Sequence, residues 1–242
     1  NAYVSDIAQD GSFALISKSE ARLTARPTTL QSLYKVDLKT FAVDTLYAKD
    51  GFAGGAVLSP DGKKVLLTGY PEAFNGIGQD VEPGQTPSMT DVQLYMLDIA
   101  SKDIQPLTKE FDPCVSRYTW NHYDGKIYFT AETGDYVCLY SMDPASGKIS
   151  RLDLPEEMIS GFSLAENAPM MAFWGQGATN SDRIYYTDMK TYGTKKPSIV
   201  LYEDLSAKSL EGITVGECIP WSFRNSLGEE VSCRFYLPVN FD

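Results

Sequence analysis

Imidazole is nearly absent from this sequence: one histidine, His122, stands among 242 residues. Every Ser–His or Cys–His mechanism, and most zinc sites, would have to use it. It falls in Trp120-Asn-His-Tyr-Asp124, just before an Asp-Gly pair, which is the place of an exposed hairpin tip, so a structural role is expected. Long apolar runs are missing too, and none approaches the ~20 residues that cross a bilayer. No charged segment followed by an apolar one opens the chain as a secretory leader would. Basic clusters are likewise lacking. Net charge is −11 and the densest basic run is Lys195-Lys196, read as a surface turn, so nucleic acid and anionic lipid are repelled.

Metal and cofactor signatures are also wanting. The cysteines Cys114, Cys138, Cys218 and Cys233 form no C-x-x-C pair. Free buried thiols are expected, because a hairpin turn near Leu227-Gly228 puts Cys218 opposite about residue 237 and out of reach of Cys233. Gly175-Gln-Gly177 has no strand-to-helix setting, which a phosphate loop needs, and reads as a turn. Asp80, Glu82 and Asp91 lack EF-hand spacing and read as solvated charge. No cofactor and no metal are expected.

What the chain does have is strand-forming aromatics, 15 Tyr and 11 Phe, and a repeat. Four segments share [Leu/Ile]-Tyr-x-x-Asp-x-x-[Ser/Thr]: Leu33-Tyr34 with Asp37 and Thr40, Leu94-Tyr95 with Asp98 and Ser101, Leu139-Tyr140 with Asp143 and Ser146, and Ile184-Tyr185 with Asp188 and Thr191. The tyrosines are spaced by 61, 45 and 45 residues. Each unit reads as a strand whose Leu and Tyr face opposite ways, ended by a turn in which Asp binds backbone N–H groups two residues on. A strand follows each unit and two precede it, around Asp10-Gly11, Asp61-Gly62, Asp124-Gly125 and, in the fourth, Glu166-Asn167. Glycine suits such hairpins because it takes positive φ without steric cost.

Four strands per ~45 residues is a propeller blade. The expected fold is all-β: four blades over 1–212 (about 1–50, 51–110, 111–156 and 157–212), then a hairpin and an extended exit strand over 213–242. The chain starts directly in strand alternation, and a partial ring leaves apolar blade faces open. It is therefore expected to be cut from a larger ring of about seven or eight blades. The second blade carries an insertion between Tyr70 and Thr90, rich in Pro, Gly and acids. Tyr70, Phe74, Asp80 and Glu82 on this loop are the candidate contact residues for a partner or substrate. Trp120, Trp174 and Trp221 are expected to pack in the core.

The Leu58-Ser-Pro-Asp-Gly-Lys63 turn, the Leu-Tyr-x-x-Asp units, the segment Phe111-Asp-Pro-Cys-Val-Ser116 and the terminal Trp221-Ser-Phe-Arg-Asn-Ser-Leu-Gly-Glu-Glu-Val231 together resemble the prolyl oligopeptidase family of serine peptidases. The likeness is to its dipeptidyl-peptidase-like and acylaminoacyl-peptidase-like members, and Ser-Pro-Asp-Gly also marks TolB-like propellers. The resemblance implies a C-terminal α/β-hydrolase domain of the same polypeptide after Tyr236-Leu-Pro238, a peptide substrate, and export, as in bacterial scavenging peptidases. The family's nucleophile lies on a G-x-S-x-G elbow in that domain; this sequence has none, so no catalytic residue is assigned. Dipeptidyl-type members also hold the substrate amino terminus with paired glutamates. Glu156-Glu157 and Glu229-Glu230 lack that motif's surroundings and receive no such role. The function expected is a non-catalytic propeller that gates access to a peptidase site; the alternative is a stand-alone TolB-like module whose 70–90 loop binds a protein. A propeller glycosidase or lyase would need carboxylates converging on the central channel.

Overall fold

A computed structural model describes residues 1–82, 84–191 and 198–241; the Lys195-Lys196 turn lies outside them. Sixteen of its strands fall into four groups of four. The first group is β1 (Ala2–Ile7), β2 (Phe13–Ala21), β3 (Thr29–Asp37) and β4 (Val43–Asp50), and the second is β5 (Ala53–Leu58), β6 (Lys64–Gly69), β7 (Gln93–Asp98) and β8 (Ile104–Pro106). The third is β9 (Cys114–Trp120), β10 (Ile127–Thr133), β11 (Tyr136–Met142) and β12 (Ile149–Arg151). The fourth is β13 (Met158–Leu164), β14 (Met170–Gly177), β15 (Asn180–Asp188) and β16 (Ile199–Asp204). A separate hairpin follows, β17 (Glu217–Arg224) with β18 (Glu230–Leu237). Within each group the strands are ordered as in the chain, an antiparallel meander. A single parallel bridge, Val137 to Met158, joins the third group to the fourth.

The repeated tyrosines all lie on the third strand of their group: Tyr34, Tyr95, Tyr140 and Tyr185. Their turns are built as the motif demands. Asp37 accepts the N–H of Lys39 and Thr40 at 2.9 and 2.7 Å, Asp98 those of Ala100 and Ser101, Asp143 that of Ala145 and Asp188 that of Lys190. Four residues past the aspartate the chain must turn left-handed: Phe41, Lys102 and Gly147 have φ of 58, 64 and 70°. In each, that residue's N–H closes on the aspartate carbonyl. Of these three, the third group alone has glycine there.

Two compact units divide the chain, one of residues 1–129 with 142–149, the other of 130–141 with 150–242. In the first, Phe13, Leu15, Leu33 and Leu46 meet Leu58, Val65, Leu67, Tyr95 and Leu97 in a buried core between the first two sheets. Burying such side chains stabilises by ~1.5–3 kcal/mol each. In the second unit Phe173 stacks on Tyr185 at 5.1 Å, with Met171 buried beside them. Trp174 covers Gly161: a Cβ on that glycine would sit 2.3 Å from the indole.

Several expectations need correction. Residues 238–241 are not an extended strand but a turn, closed by Phe241 N–H on the Pro238 carbonyl with Asn240 at φ 60°; proline has no N–H to continue the ladder. Cys218 pairs with Tyr236, within one residue of the expected partner, and Cys233 pairs with Trp221, so the two cysteines are out of register as expected. All four thiols are free, but only Cys138 is fully buried. Trp120 is buried, its indole N–H on the Gly125 carbonyl at 2.9 Å, whereas Trp221 is 47% exposed. Among the described residues β17 and β18 form a two-stranded sheet of their own, and Trp221 lies on its open face.

Candidate functional site

The insertion after β6 has two halves. The first, 70–78, is fastened to the sheet. Tyr70 donates its N–H to the Phe52 carbonyl, and its own carbonyl accepts the Tyr95 hydroxyl at 2.8 Å. Phe74, Asn75 and Gly76 are consecutive left-handed residues, with φ of 54, 63 and 75°. That costs energy for a side chain such as phenylalanine, and two contacts hold it. The Phe74 N–H reaches Asp50 Oδ2 at 2.7 Å, and its ring meets the edges of Tyr47 and Tyr95 at 5.3 and 5.1 Å. Asp50 Oδ1 also accepts the N–H groups of Phe52 and Ala53, so one carboxylate ties the first crossover to the insertion. Burial pushes the phenols of Tyr47 and Tyr95 up, with Asp50 adding to it; both stay neutral hydroxyls. Gly78 is needed because any Cβ would meet the Tyr95 hydroxyl at 2.1 Å.

The second half, from Gln79 to Thr90, turns outward. Asp80 and Glu82 are exposed, as is Tyr70 at 38%, but Phe74 is 8% exposed. Three of the four candidate contact residues therefore reach solvent, and Phe74 serves from beneath as the anchor of the turn. A cleft of about 190 Å³ lies between this half and the β8–β9 connection, lined among others by Asp80, Pro87, Asp91, Lys109, Asp112 and Pro113. Glu82 is not among its walls. The cleft is acidic and polar. His122 sits exposed on the β9–β10 turn. Among the described residues no three His, Cys, Asp or Glu side chains converge as metal ligands do.

The terminal hairpin supplies a surface that the sequence reading missed. Cross-strand partners share a face, and the register Ile219–Phe235, Trp221–Cys233, Phe223–Val231 puts all these apolar residues on one side. Trp221 stacks on Phe223 at 5.3 Å and tilts against Phe235 at 5.1 Å, and Ile219, Trp221, Phe223 and Phe235 are each more than 40% exposed. The opposite face is polar and carries Arg234, which pairs with Asp135 and, at 2.7 Å, with Glu157. The visible signal was the alternation in Ile219-x-Trp221-x-Phe223 and Val231-x-Cys233-x-Phe235, which puts the apolar residues on one side only.

The glutamate pair at 156–157 is structural. Glu156 is buried and accepts the Tyr185 hydroxyl at 2.5 Å and the Asn180 amide at 3.0 Å, with Arg183 at 3.7 Å. Burial first, then this carboxylate, pushes the Tyr185 phenol up to about 12. Arg183 also binds Asp204 at 2.7 Å. Hydrogen bonds from Ser206 and then Arg183 draw the Asp204 carboxyl down to about 2. Glu157 faces out and accepts the Ala178 N–H and Arg234.

Sequence comparison gives no match, either to a protein-family profile or to a curated protein. Structural comparison does. The acylaminoacyl peptidase of Pyrococcus horikoshii aligns with a TM-score of 0.66 at 20% identity, over 95% of this chain and 31% of that one. TolB from Acinetobacter baumannii aligns with a TM-score of 0.57 at 15% identity, over 99% and 55%. The β-propeller domain of the Trilobed protease from Pyrococcus furiosus aligns with a TM-score of 0.56 at 20% identity, over 78% and 48%. The chain thus spans about half the length of TolB and about a third of the peptidase. At such identities the likeness fixes the architecture alone, and with the repeated meanders it defines the class: this is an all-β propeller segment.

Proposed function

We propose that this chain is the non-catalytic propeller portion of a serine oligopeptidase, placed over the active site of an α/β-hydrolase domain of the same polypeptide. The observation that carries the reading is the aromatic face of the β17–β18 hairpin, left open after the last blade strand at the point where the resemblance expects the passage into the hydrolase domain. Exposed aromatics at this density mark a surface made to be covered, and the occupant assigned here is that domain. The propeller's job is exclusion: a lid of packed blades rejects folded chains by size, admits short peptides and keeps bulk water from the reaction. The likeness to two peptidase propellers supports this reading. The test is to express the chain with the native residues that follow it and label with a fluorophosphonate. Labelling of a serine in a G-x-S-x-G elbow beyond residue 242, with cleavage of short peptides but not of folded proteins, is expected. Absence of such an elbow from the next few hundred residues would refute the reading.

A second reading, a TolB-like module that binds a protein partner, is favoured by the outward half of the insertion, where Tyr70, Asp80 and Glu82 are exposed. It requires that a purified partner lose binding when residues 79–90 are replaced by a short Gly-Ser link. Unchanged affinity would dispose of it.

A further inference from the structure

The hairpin's attachment has a design of its own. Arg234 is the cross-strand partner of Pro220, on the polar face. Its guanidinium pairs with Asp135 on the β10–β11 turn and with Glu157 on the β12–β13 crossover, and lies over the Tyr136 ring at 4.9 Å. The arginine side chain is only 14% exposed, while its carboxylate partners are 43% and 29% exposed. The hairpin connects to β16 through residues 205–216, which form turns and irregular chain. Internally the hairpin is self-sufficient, with an unbroken eight-pair register and its own turn closed by Asn225.

We infer that β17–β18 is a rigid strap hinged at 205–216 and latched to the blades by Arg234, so that the latch decides where the aromatic face points. A rigid element joined to a sheet by turns and irregular chain can swing as a unit unless something pins it. Here the pin is a forked cation between two carboxylates from different loops, a geometry that arginine satisfies and lysine does not. Because those carboxylates are partly solvated, salt weakens the pin. With the latch closed, the polar face lies against Asp135, Tyr136 and Glu157 and the aromatic face looks away. With it open, the strap is free to turn as a unit. This inference stands whether or not a hydrolase domain follows.

The two hairpin cysteines report the motion, because they lie on opposite faces: Cys218 on the polar face, 3.7 Å from the guanidinium, and Cys233 on the aromatic face. The full chain and the variant Asp135→Asn/Glu157→Gln, which keeps Arg234 in place over Cys218, are alkylated and the modification of each thiol is followed by mass spectrometry. Opening predicts that Cys218 reacts at least threefold faster in the variant while Cys233 does not, that 1 M NaCl reproduces the effect in the unmodified chain, and that the acceleration persists when Arg234→Gln is added to the variant, where no guanidinium is left to activate the thiol. Ser222→Ala, which removes a bond internal to the hairpin (Ser222 to Glu230, 2.8 Å), should change neither rate. Equal Cys218 rates in variant and unmodified chain would overturn the latch. Parallel acceleration of both thiols would overturn the rigid strap, since it would mean that the hairpin unfolds.

Discussion

Tyr185 donates its hydroxyl to Glu156 at 2.5 Å, across 29 residues of chain and from the third strand of a blade to the crossover that precedes it. Tyr185→Phe would leave that buried carboxylate one donor short, with Asn180 and Arg183 still in place. A loss of ~1–3 kcal/mol is expected in urea denaturation. The bond also sets an alkaline limit. The folded-state phenol titrates at about 12, against ~10 when unfolded, so the folded state holds its proton longer. Its contribution is whole below pH 10 and is lost as pH rises from 10 to 12. The Phe variant should lose less stability than the unmodified chain between pH 9.5 and 11; an equal loss would show that the folded-state phenol is not raised.

Asp50 is the next test, because its two oxygens serve three backbone donors, Phe52, Ala53 and Phe74. Asp50→Ala would orphan all three and release the left-handed turn at 74–76. Destabilisation of ~2–4 kcal/mol is expected, at the upper end for single substitutions. Faster hydrogen exchange should be confined to 70–78 and the β4–β5 crossover. Exchange that rises evenly over the chain would mean that the carboxylate is no local staple.

The blades themselves were legible because a turn motif and a period-two strand are local properties. Leu-Tyr-x-x-Asp-x-x-Ser/Thr encodes a strand, its two faces and its closing hydrogen bonds within eight residues, and β3, β7, β11 and β15 all end as that string requires. The insertion was legible only as a place. Whether Phe74 points out or in depends on Tyr47 and Tyr95, far off in the chain, and on a backbone conformation that no residue preference would suggest. Trp221 failed the other way: its aromatic character argued for a core, but burial needs a facing layer, and composition says nothing about whether one is there.

That same turn motif gives a stabilising substitution. Phe41 occupies a left-handed position at φ 58° while its side chain is 74% exposed, so it bears backbone strain and contributes little packing. Strain of ~1–2 kcal/mol is relieved by glycine, which itself costs ~0.5–1 kcal/mol through unfolded-chain entropy. Phe41→Gly should therefore raise stability by ~0.5–1 kcal/mol, as Gly147 already does in the third blade. A drop in the urea midpoint would contradict the strain argument.

Gly161 predicts the opposite sign. Its Cα faces Trp174 across the β13–β14 ladder, and an added methyl would lie 2.3 to 2.9 Å from three indole carbons. The indole is a rigid plate, so Gly161→Ala must push it off the sheet. A cost of ~1–3 kcal/mol is expected, with red-shifted tryptophan emission as the ring moves into water. The double variant with Trp174→Leu should recover part of the loss, and no recovery would place the clash elsewhere.

Two tryptophans separate core from docking surface. Trp120 is 6% exposed and its indole N–H is satisfied by the Gly125 carbonyl, so Trp120→Ala should cost ~3–5 kcal/mol. Trp221 is 47% exposed and stacks on its hairpin neighbours Phe223 and Phe235. Trp221→Ser with Phe235→Ser should leave the urea midpoint of the blades within ~0.5 kcal/mol of the unmodified chain. The same pair should reduce anilinonaphthalene sulfonate binding and self-association, both of which report exposed apolar area. The contrast matters because the two outcomes belong to different physics: a core side chain is selected for what it does to folding, a docking face for what it does when covered. If the serine pair destabilises the blades as strongly as Trp120→Ala does, the hairpin face belongs to the core and the partner-facing assignment falls with it.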